Sequence, residues 1–240
     1  MFYFFLPTLF SYKLILVAAA VIPAFFLMVK VYRSDRLEQE SPRMLKNLVI
    51  AGILSSLIAL VAEKFLCLLL DLLVPKTSVL YPVLLYFVIV AFSEEGAKYF
   101  MLQRRTWRAP EFNCQYDAVV YAVFVSLGFA LWENISYVMA YGFQTAIVRA
   151  LTAIPGHACF GVFMGVFYGF AKRMDYAYHA EFSKFFRVLA VLLPAIIHGA
   201  YDYIATVDSS SIYFIVFIAI HFVISYLLVG TMSKKDRYIS

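Results

Sequence analysis

Seven long apolar stretches dominate this chain of 240 residues. Each has roughly the 20 residues that an α-helix needs to cross the hydrocarbon layer of a bilayer. Composition agrees, because 64% of the residues are hydrophobic and only 15% are charged, whereas soluble domains are about half apolar and about a quarter charged. A water-soluble core could not hide this much apolar surface in a chain of this size. The sequence therefore predicts an all-α fold, a polytopic membrane helical bundle of about seven transmembrane helices.

The predicted spans are separated by short polar segments. They cover approximately residues 14–32, 46–74, 81–102, 117–141, 154–171, 185–207 and 212–232. Glu63 and Lys64 interrupt the long second span, so we expect a tilt or a break there, with these two residues paired locally or at an interface. We find no internal repeat and no soluble domain, which indicates a single membrane domain over residues 1–240.

Basic residues concentrate in every second connecting segment. The basic segments hold Lys30, Arg33, Arg36, Arg43 and Lys46, then Arg104, Arg105 and Arg108, then Lys172, Arg173, Lys184 and Arg187, and finally Lys234, Lys235 and Arg237. The alternate segments hold Lys76 alone, Arg149 alone, or no basic residue, as in the Ser-rich turn at Asp208. The positive-inside rule then predicts an external N-terminus and a cytoplasmic C-terminus. The net charge of +5 thus reflects topology, and we expect the lipid bilayer and no nucleic acid as a partner.

Ionisable side chains inside four successive spans are the candidate functional residues, because each costs about 2.5–3.5 kcal/mol to insert and such residues usually face the bundle interior. Glu94 and Glu95 are adjacent in the third span. Neighbouring helical residues point about 100° apart, so one carboxylate can face a cavity while the other orients it. Lys98 follows Glu94 by four residues, a favourable ion-pair spacing, so a purely structural Glu–Lys pair is the alternative.

The fourth and fifth spans add Glu133, with Asn134 beside it, and His157. Glu133 could be a further carboxylate next to the first pair, or a structural group bonded to a neighbouring span. His157 shares a helical face with glycines at steps of four, Gly161, Gly165 and Gly169. Such a stripe lets another helix approach closely, so the imidazole should point into a helix–helix seam.

His198 and Asp202 lie one helical turn apart on the sixth span, where the carboxylate can orient the imidazole or help to bind a metal. The predicted topology places His157, Glu133 and this pair in the outer part of the membrane. Glu94 would lie deeper, about 20 Å below the start of its span at helical rise, unless tilt or a water-filled cavity closes the gap. We therefore expect a site that opens outward.

This constellation resembles the PrsW family of intramembrane proteases, which is related to the CAAX-protease-like membrane proteins. The resemblance rests on Glu94-Glu95 with Lys98, Phe129 through Glu133-Asn134, His157 followed by Gly161, and His198 with Asp202, and it covers roughly residues 80–205. CAAX-type relatives usually carry Asn where this chain has Asp202, which favours the PrsW branch. The resemblance implies a bacterial cell-membrane, multi-pass protease with a catalytic core at about residues 80–205. Its implied substrate is a single-span, membrane-anchored protein of the anti-sigma-factor kind, cut on the extracytoplasmic side.

Two hydrolytic mechanisms remain open, and both use direct attack by water, because no serine or cysteine has an obvious base beside it. In the first, His157, His198 and carboxylates such as Glu95 and Glu133 hold a divalent metal, with zinc favoured, that activates the water. In the second, Glu94 or Glu95 activates water with His157, while His198 and Asp202 stabilise the intermediate. Outside hydrolysis, the same buried Glu, His and Asp residues could form the relay of a proton- or ion-coupled transporter, although no inverted repeat supports this.

Overall fold

The computed structural model describes residues 2–207 and 211–239, so the turn at Asp208 lies outside the described residues. The helices are α1 (Phe2–Arg33), α2 (Pro42–Leu73), α3 (Leu80–Val83), α4 (Ala91–Thr106), α5 (Asp117–Tyr141), α6 (Phe143–Leu151), α7 (Ala153–Tyr176), α8 (Ala180–Val207) and α9 (Ser211–Lys234), with a π-helical segment, Leu84–Val90, between α3 and α4. Within the described residues the fold is helical without strands, apart from an isolated bridge between Cys114 and Tyr238.

Seven helical stretches in this part of the chain are long and apolar enough to cross a membrane, which confirms the predicted multi-pass bundle. Helix α2 runs unbroken for 32 residues through Glu63 and Lys64, so the expected break is wrong. Glutamate and lysine both have high helix propensity, and they therefore leave the backbone hydrogen bonds of the helix intact. The fifth stretch starts earlier than predicted, because the short helix α6 precedes α7. The two helices meet at Thr152, whose φ of −122° and ψ of −69° depart from helical values.

Helix α5 forms the centre of the bundle. In its most apolar window 78% of the residues are buried, against 6% in that of α9 at the periphery. Helices α1, α2, α4 and α7 all pack against α5. A helix surrounded in this way is apolar on every side, and it carries Glu133 and Asn134 at a protein-enclosed position.

The glycine stripe of α7 meets the backbone of α5, as the sequence predicted. A Cβ atom added to Gly161 would lie 3.0 Å from the Cα of Val123, and one added to Gly165 would lie 2.7 Å from the carbonyl oxygen of Ala118. Only glycine permits this separation. The close approach brings His157, at the start of α7, against the side of α5 that carries Glu133.

The π-helical segment leads directly into the turn that carries Glu94 and Glu95. A π-helix widens the backbone turn and thereby changes the direction of the side chains that follow, and such segments are frequent at functional sites. Helix α8 packs tightly on it, because a Cβ atom on Gly199 would lie 2.8 Å from the Cα of Phe87. This contact sets the position of the neighbouring His198 relative to α4.

Candidate active site

The predicted ionisable residues of four helices converge, although they are up to 108 positions apart in the chain, from Glu94 to Asp202. Helix α4 supplies Glu94, Glu95 and Lys98, α5 supplies Glu133, α7 supplies His157, and α8 supplies His198 and Asp202. The depth difference predicted for Glu94 does not separate it from the others: its Oε2 lies 3.9 Å from the Nε2 of His198.

Lys98 lies at the centre of the group with its side chain fully buried. Its ammonium donates hydrogen bonds to Glu95 Oε1 at 2.7 Å and to Glu94 Oε2 at 3.3 Å. The same nitrogen lies 3.1 Å from His157 Nδ1 and 4.1 Å from the centre of the Phe129 ring. The pairing with Glu94 was predicted from the sequence, whereas the contacts with Glu95 and His157 were not.

His157 is held through both ring nitrogens. Because an ammonium group can only donate, Nδ1 accepts from Lys98, and Nε2 then carries the proton and donates to Glu133 Oε2 at 2.8 Å. Helical position explains this geometry, since the glycine seam of α7 holds the imidazole beside α5. Glu133 was predicted to lie beside the Glu94–Glu95 pair, and it is connected to that pair by hydrogen bonds through His157 and Lys98.

His198 lies between two carboxylates, those of Glu95 on α4 and Asp202 on its own helix. Its Nδ1 lies 2.9 Å from Glu95 Oε1, and its Nε2 lies 3.4 Å from Asp202 Oδ2, one turn further along α8. The ring of Phe160 stacks on the imidazole with a centroid separation of 4.7 Å. Glu95 and Asp202 thus fix the orientation of His198, in agreement with the predicted His–Asp pair.

A cavity of about 560 Å³ lies between these helices. Five of the predicted residues line it, namely Glu94, Glu133, His157, His198 and Asp202. Glu95 is fully buried behind them at 0% exposure, where it bonds to Lys98 and His198. The geometry separates the two adjacent glutamates: Glu94 faces the cavity, and Glu95 supports the groups that surround it.

Two further charged residues, neither of them predicted to belong to the site, line the cavity. Arg149 was counted only as a loop charge, yet its guanidinium lies 3.1 Å from Glu133 Oε2 and donates through Nε to Asn134 Oδ1 at 2.9 Å. A single arginine within the apolar segment FQTAIVRAL was the available signal. Glu63 was expected to pair with Lys64 or lie at an interface, but it lines the cavity from α2. Nothing local in the sequence distinguished a Glu63 that faces the cavity from one that pairs with Lys64 or lies at an interface.

Three serine hydroxyl groups in or near the cavity donate to backbone carbonyls. Ser56 donates to Ile53 at 2.7 Å, and Ser136 donates to Trp132 at 2.9 Å. Ser126 donates to the carbonyl of His157 at 2.6 Å. The hydrogen-bond geometry therefore gives none of these three serines an activating base.

The donor set fits a divalent metal in its chemistry. Glu94, Glu95 and His157 each offer a ligand atom, and the three atoms lie within 4.8 Å of one another. Glu95 Oε2 is buried without a hydrogen-bond partner. Counting charges, the five carboxylates of Glu63, Glu94, Glu95, Glu133 and Asp202 face the two cations Lys98 and Arg149, which leaves three negative charges when every carboxylate is ionised and both histidines are neutral. Three protein ligands are typical of catalytic metal sites, but the Lys98 ammonium contacts all three of these residues, so a metal ion would have to displace it from His157 Nδ1. His198 and Glu133, which were included in the predicted ligand set, lie outside this group of three.

The chain is similar in sequence to a known protein family and to known proteins of bacteria. The sequence profile of the family described as "PrsW family intramembrane metalloprotease" matches residues 40–229. The chain is 32% identical over 225 residues to "Protease PrsW" of Shouchella clausii, covering 93% of this chain and 98% of that protein. It is 38% identical over 134 residues to "Protease PrsW" of Halalkalibacterium halodurans, covering 56% of this chain and 60% of that protein. No solved structure gives a significant match.

The matched region contains all of the converging residues, from Glu94 to Asp202. The relatives are bacterial proteases, and the seven apolar helices make this chain a multi-pass protein of the bacterial membrane. The chain belongs to the PrsW family of intramembrane metalloproteases, a family of hydrolases.

Proposed function

We propose that this protein cuts a peptide bond of a single-span membrane protein by the attack of water activated in the cavity. The observation that carries the proposal is the convergence of Glu94, His157 and His198 on one cavity inside an apolar bundle. A peptide bond needs an activated water, a stabilised oxyanion and a proton for the leaving amine. These three residues, with their supporting contacts, provide the groups for all three tasks.

Glu94 is the proposed general base, because it is the member of the adjacent pair that faces the cavity. Glu94 has this role in the metal-free form of the mechanism. In the metal-dependent form Glu94, Glu95 and His157 would instead hold a divalent metal, with zinc favoured by the mixed oxygen and nitrogen donors. When bound, such a metal supplies Lewis-acid polarisation of water and of the scissile carbonyl. Glu133 keeps the His157 ring in place through the bond to Nε2.

His198 is the proposed proton carrier on the opposite side of the cavity. Asp202 and Glu95 both lie against its ring nitrogens, so they stabilise the protonated imidazole that forms during the reaction. A cation there can bind the developing oxyanion and then protonate the leaving amine. Lys98 neutralises part of the carboxylate charge without reaching the substrate, since its side chain is fully buried.

The substrate is proposed to be an anti-sigma-factor-like protein that is cut near the external surface. The distribution of Lys and Arg supports this orientation of the cavity, and the family resemblance supports this class of substrate. A polypeptide can enter a site of this kind from the bilayer, because the cavity is bordered by lipid-facing helices such as α2.

The proposal is tested with purified protein in lipid nanodiscs and a fluorescent single-span substrate. We expect Glu94→Gln and His157→Ala to lower kcat by 10²- to 10⁴-fold, the usual contribution of acid–base groups. Glu181→Gln is the matched control, because its side chain is exposed in the first turn of α8. Cleavage at wild-type rates in both site variants would sink the protease mechanism. Full activity after exhaustive treatment with a chelator would sink only its metal-dependent form.

A further inference from the structure

A second cavity, of about 390 Å³, lies between α4 and α8 and shares no lining residue with the active-site cavity. Its walls are apolar over most of its length, formed by Phe92, Val188, Val191 and Leu192. Three polar residues, Tyr99, Gln103 and Arg187, line the end that is nearest to the basic segments of the chain. From Phe92 to Gln103 the groove follows α4 for eleven residues, about 16 Å at helical rise.

The polar end contains buried donors without acceptors. The hydroxyl of Tyr99 and the Nε of Arg187 are both buried and have no hydrogen-bond partner. The Arg187 guanidinium lies against the Trp107 ring, 4.0 Å from its centre. Its Nη2 makes only a long contact, 3.5 Å, with Asp175 Oδ1. Buried donors are almost always satisfied in folded proteins. The Arg187 side chain as a whole is 30% exposed, so an acceptor from outside the chain can approach its guanidinium and complete this end of the groove.

We infer that the groove binds an anionic phospholipid. The phosphate of this lipid accepts hydrogen bonds from Arg187 and Tyr99, and one of the lipid's acyl chains lies along the apolar walls of the groove. A guanidinium group is well suited to a phosphodiester because it donates in a fixed planar fork. Arg104 and Arg105 follow Gln103 directly at the exposed end of α4, which favours a headgroup of net negative charge over a zwitterionic one.

The nature of the groove excludes a soluble anion as the main occupant. Val188 and Phe92 are 60% and 40% exposed, so the walls face the hydrocarbon layer rather than water. A ligand that satisfies both ends must be amphipathic and must approach from the membrane. The apolar part of the groove runs along α4 from Phe92 to Tyr99, about 10 Å at helical rise, so it can hold the headgroup-proximal part of one acyl chain.

Native mass spectrometry of the intact protein, with phosphatidylglycerol or phosphatidylcholine of identical acyl chains, tests the inference. We expect phosphatidylglycerol to bind at least about tenfold more tightly, and Arg187→Gln to remove about tenfold of its affinity, as loss of a charge-assisted hydrogen bond predicts. Lys184→Gln is the matched control. It removes the same charge one turn away on α8, from an exposed side chain that pairs with Glu181 and does not line the groove.

A second variant addresses the acyl chain without changing any charge. Val191→Trp fills the apolar part of the groove and should also displace the bound phosphatidylglycerol, and Tyr99→Phe should weaken it to a smaller extent. Equal binding of the two lipids, or equal loss in Arg187→Gln and Lys184→Gln, would overturn the inference. If Arg187→Gln fails to fold, Val191→Trp and Tyr99→Phe decide the outcome, and unchanged affinity in both would also overturn it. The readout involves no proteolysis, so it is independent of the proposed function.

Discussion

At the scale of single residues, one ammonium group connects Glu94, Glu95 and His157. A buried lysine is tolerated here because two carboxylates compensate its charge, whereas an unpaired buried charge would be strongly destabilising. The bond also determines which nitrogen of His157 carries the proton, and so which nitrogen faces Glu133. The four-residue spacing indicated one of these contacts, and the other two required the positions of the helices.

Arg149 has a comparable supporting role on the other side of His157. Its guanidinium contacts Glu133 and Asn134 together, and the amide of Asn134 donates to the carbonyl of Ala20 at 3.0 Å. This chain of contacts links α1 to the imidazole. A carboxylate held from two sides keeps the histidine that it bonds in one orientation.

We therefore predict that Arg149→Ala lowers kcat for the single-span substrate by about 10- to 100-fold, the usual effect of losing a group that orients an active-site histidine. Arg149→Lys should recover only part of the rate, because an ammonium cannot bind Glu133 and Asn134 in the same fork geometry. The measurement is kcat and KM across pH, together with the thermal midpoint. Arg108→Ala, at an exposed position, is the control, and a wild-type kcat in Arg149→Ala would contradict the assigned role.

At the scale of helices, the contact between α5 and α7 decides whether His157 and Glu133 can meet. The glycines of α7 occupy the side that faces α5, and any side chain there would have to separate the two backbones. His157 lies on the same face as Gly165, two turns away. A displacement of α7 is therefore transmitted directly to the imidazole.

Gly165→Ala tests this contact. Its new Cβ atom would lie 2.7 Å from the carbonyl oxygen of Ala118, and we expect a loss of about 1–3 kcal/mol in unfolding free energy, the usual cost of overpacking. Gly230→Ala is the matched control. It places the same methyl group where no atom lies within 4 Å, so helix propensity alone should leave it neutral or stabilised by up to about 1 kcal/mol. Equal stability of the two variants in denaturant titrations would show that the α5–α7 seam is not close-packed.

The short helix α6 shows what the apolar pattern does not reveal. Gly142, with a φ of 86°, ends α5 and allows the chain to turn before α6. Helix α6 then places Arg149 above the cavity, although hydropathy alone joins this segment to the following span. Helix α7 itself begins at Ala153, within one residue of the predicted start of the fifth span, whereas α6 was not predicted because the backbone turns that separate it are not visible in the apolar pattern.

At the scale of the whole molecule, the loops at the basic end of the bundle pack against the C-terminal segment. The backbone amide of Gln115 donates to Arg237, and that of Ile239 donates to Asn113. Acidic residues accumulate there, and burial raises the pKa of Asp35 to about 6. Burial likewise raises the pKa of Glu40 from 4.5 to about 7, with Glu111 and Asp35 adding repulsion.

These shifts predict a pH-dependent stability. Because the folded protein retains the proton of Glu40 above pH 4.5, stability is greatest at acidic pH and falls as the pH rises through about 7. We expect about 1 kcal/mol between pH 5 and 8, below the full linkage value because water reaches the membrane surface. Thermal midpoints at several pH values measure it. Glu40→Gln should flatten the curve, the exposed Glu181→Gln should not, and an unchanged slope in Glu40→Gln would contradict the assignment.

The membrane-spanning class, the number of spans and the main ionisable residues that line the cavity were predictable from the sequence alone. The reason is that both signals are local: apolar run length follows from bilayer thickness, and an ionisable group in such a run is costly wherever the helix lies. The external orientation and the class of substrate stay predictions, because they rest on loop charges and on resemblance.

Only the tertiary structure decided which of those residues touch one another. It placed Glu94 in the cavity and Glu95 behind it, brought Lys98 to His157, and turned Glu63 and Arg149 toward the same space. These outcomes depend on the rotation, tilt and axial position of each helix. Those quantities are set by contacts between distant segments, such as the glycine seam of α7 on α5 and the packing of α8 on the π-helical turn, and no pattern within a single span encodes them.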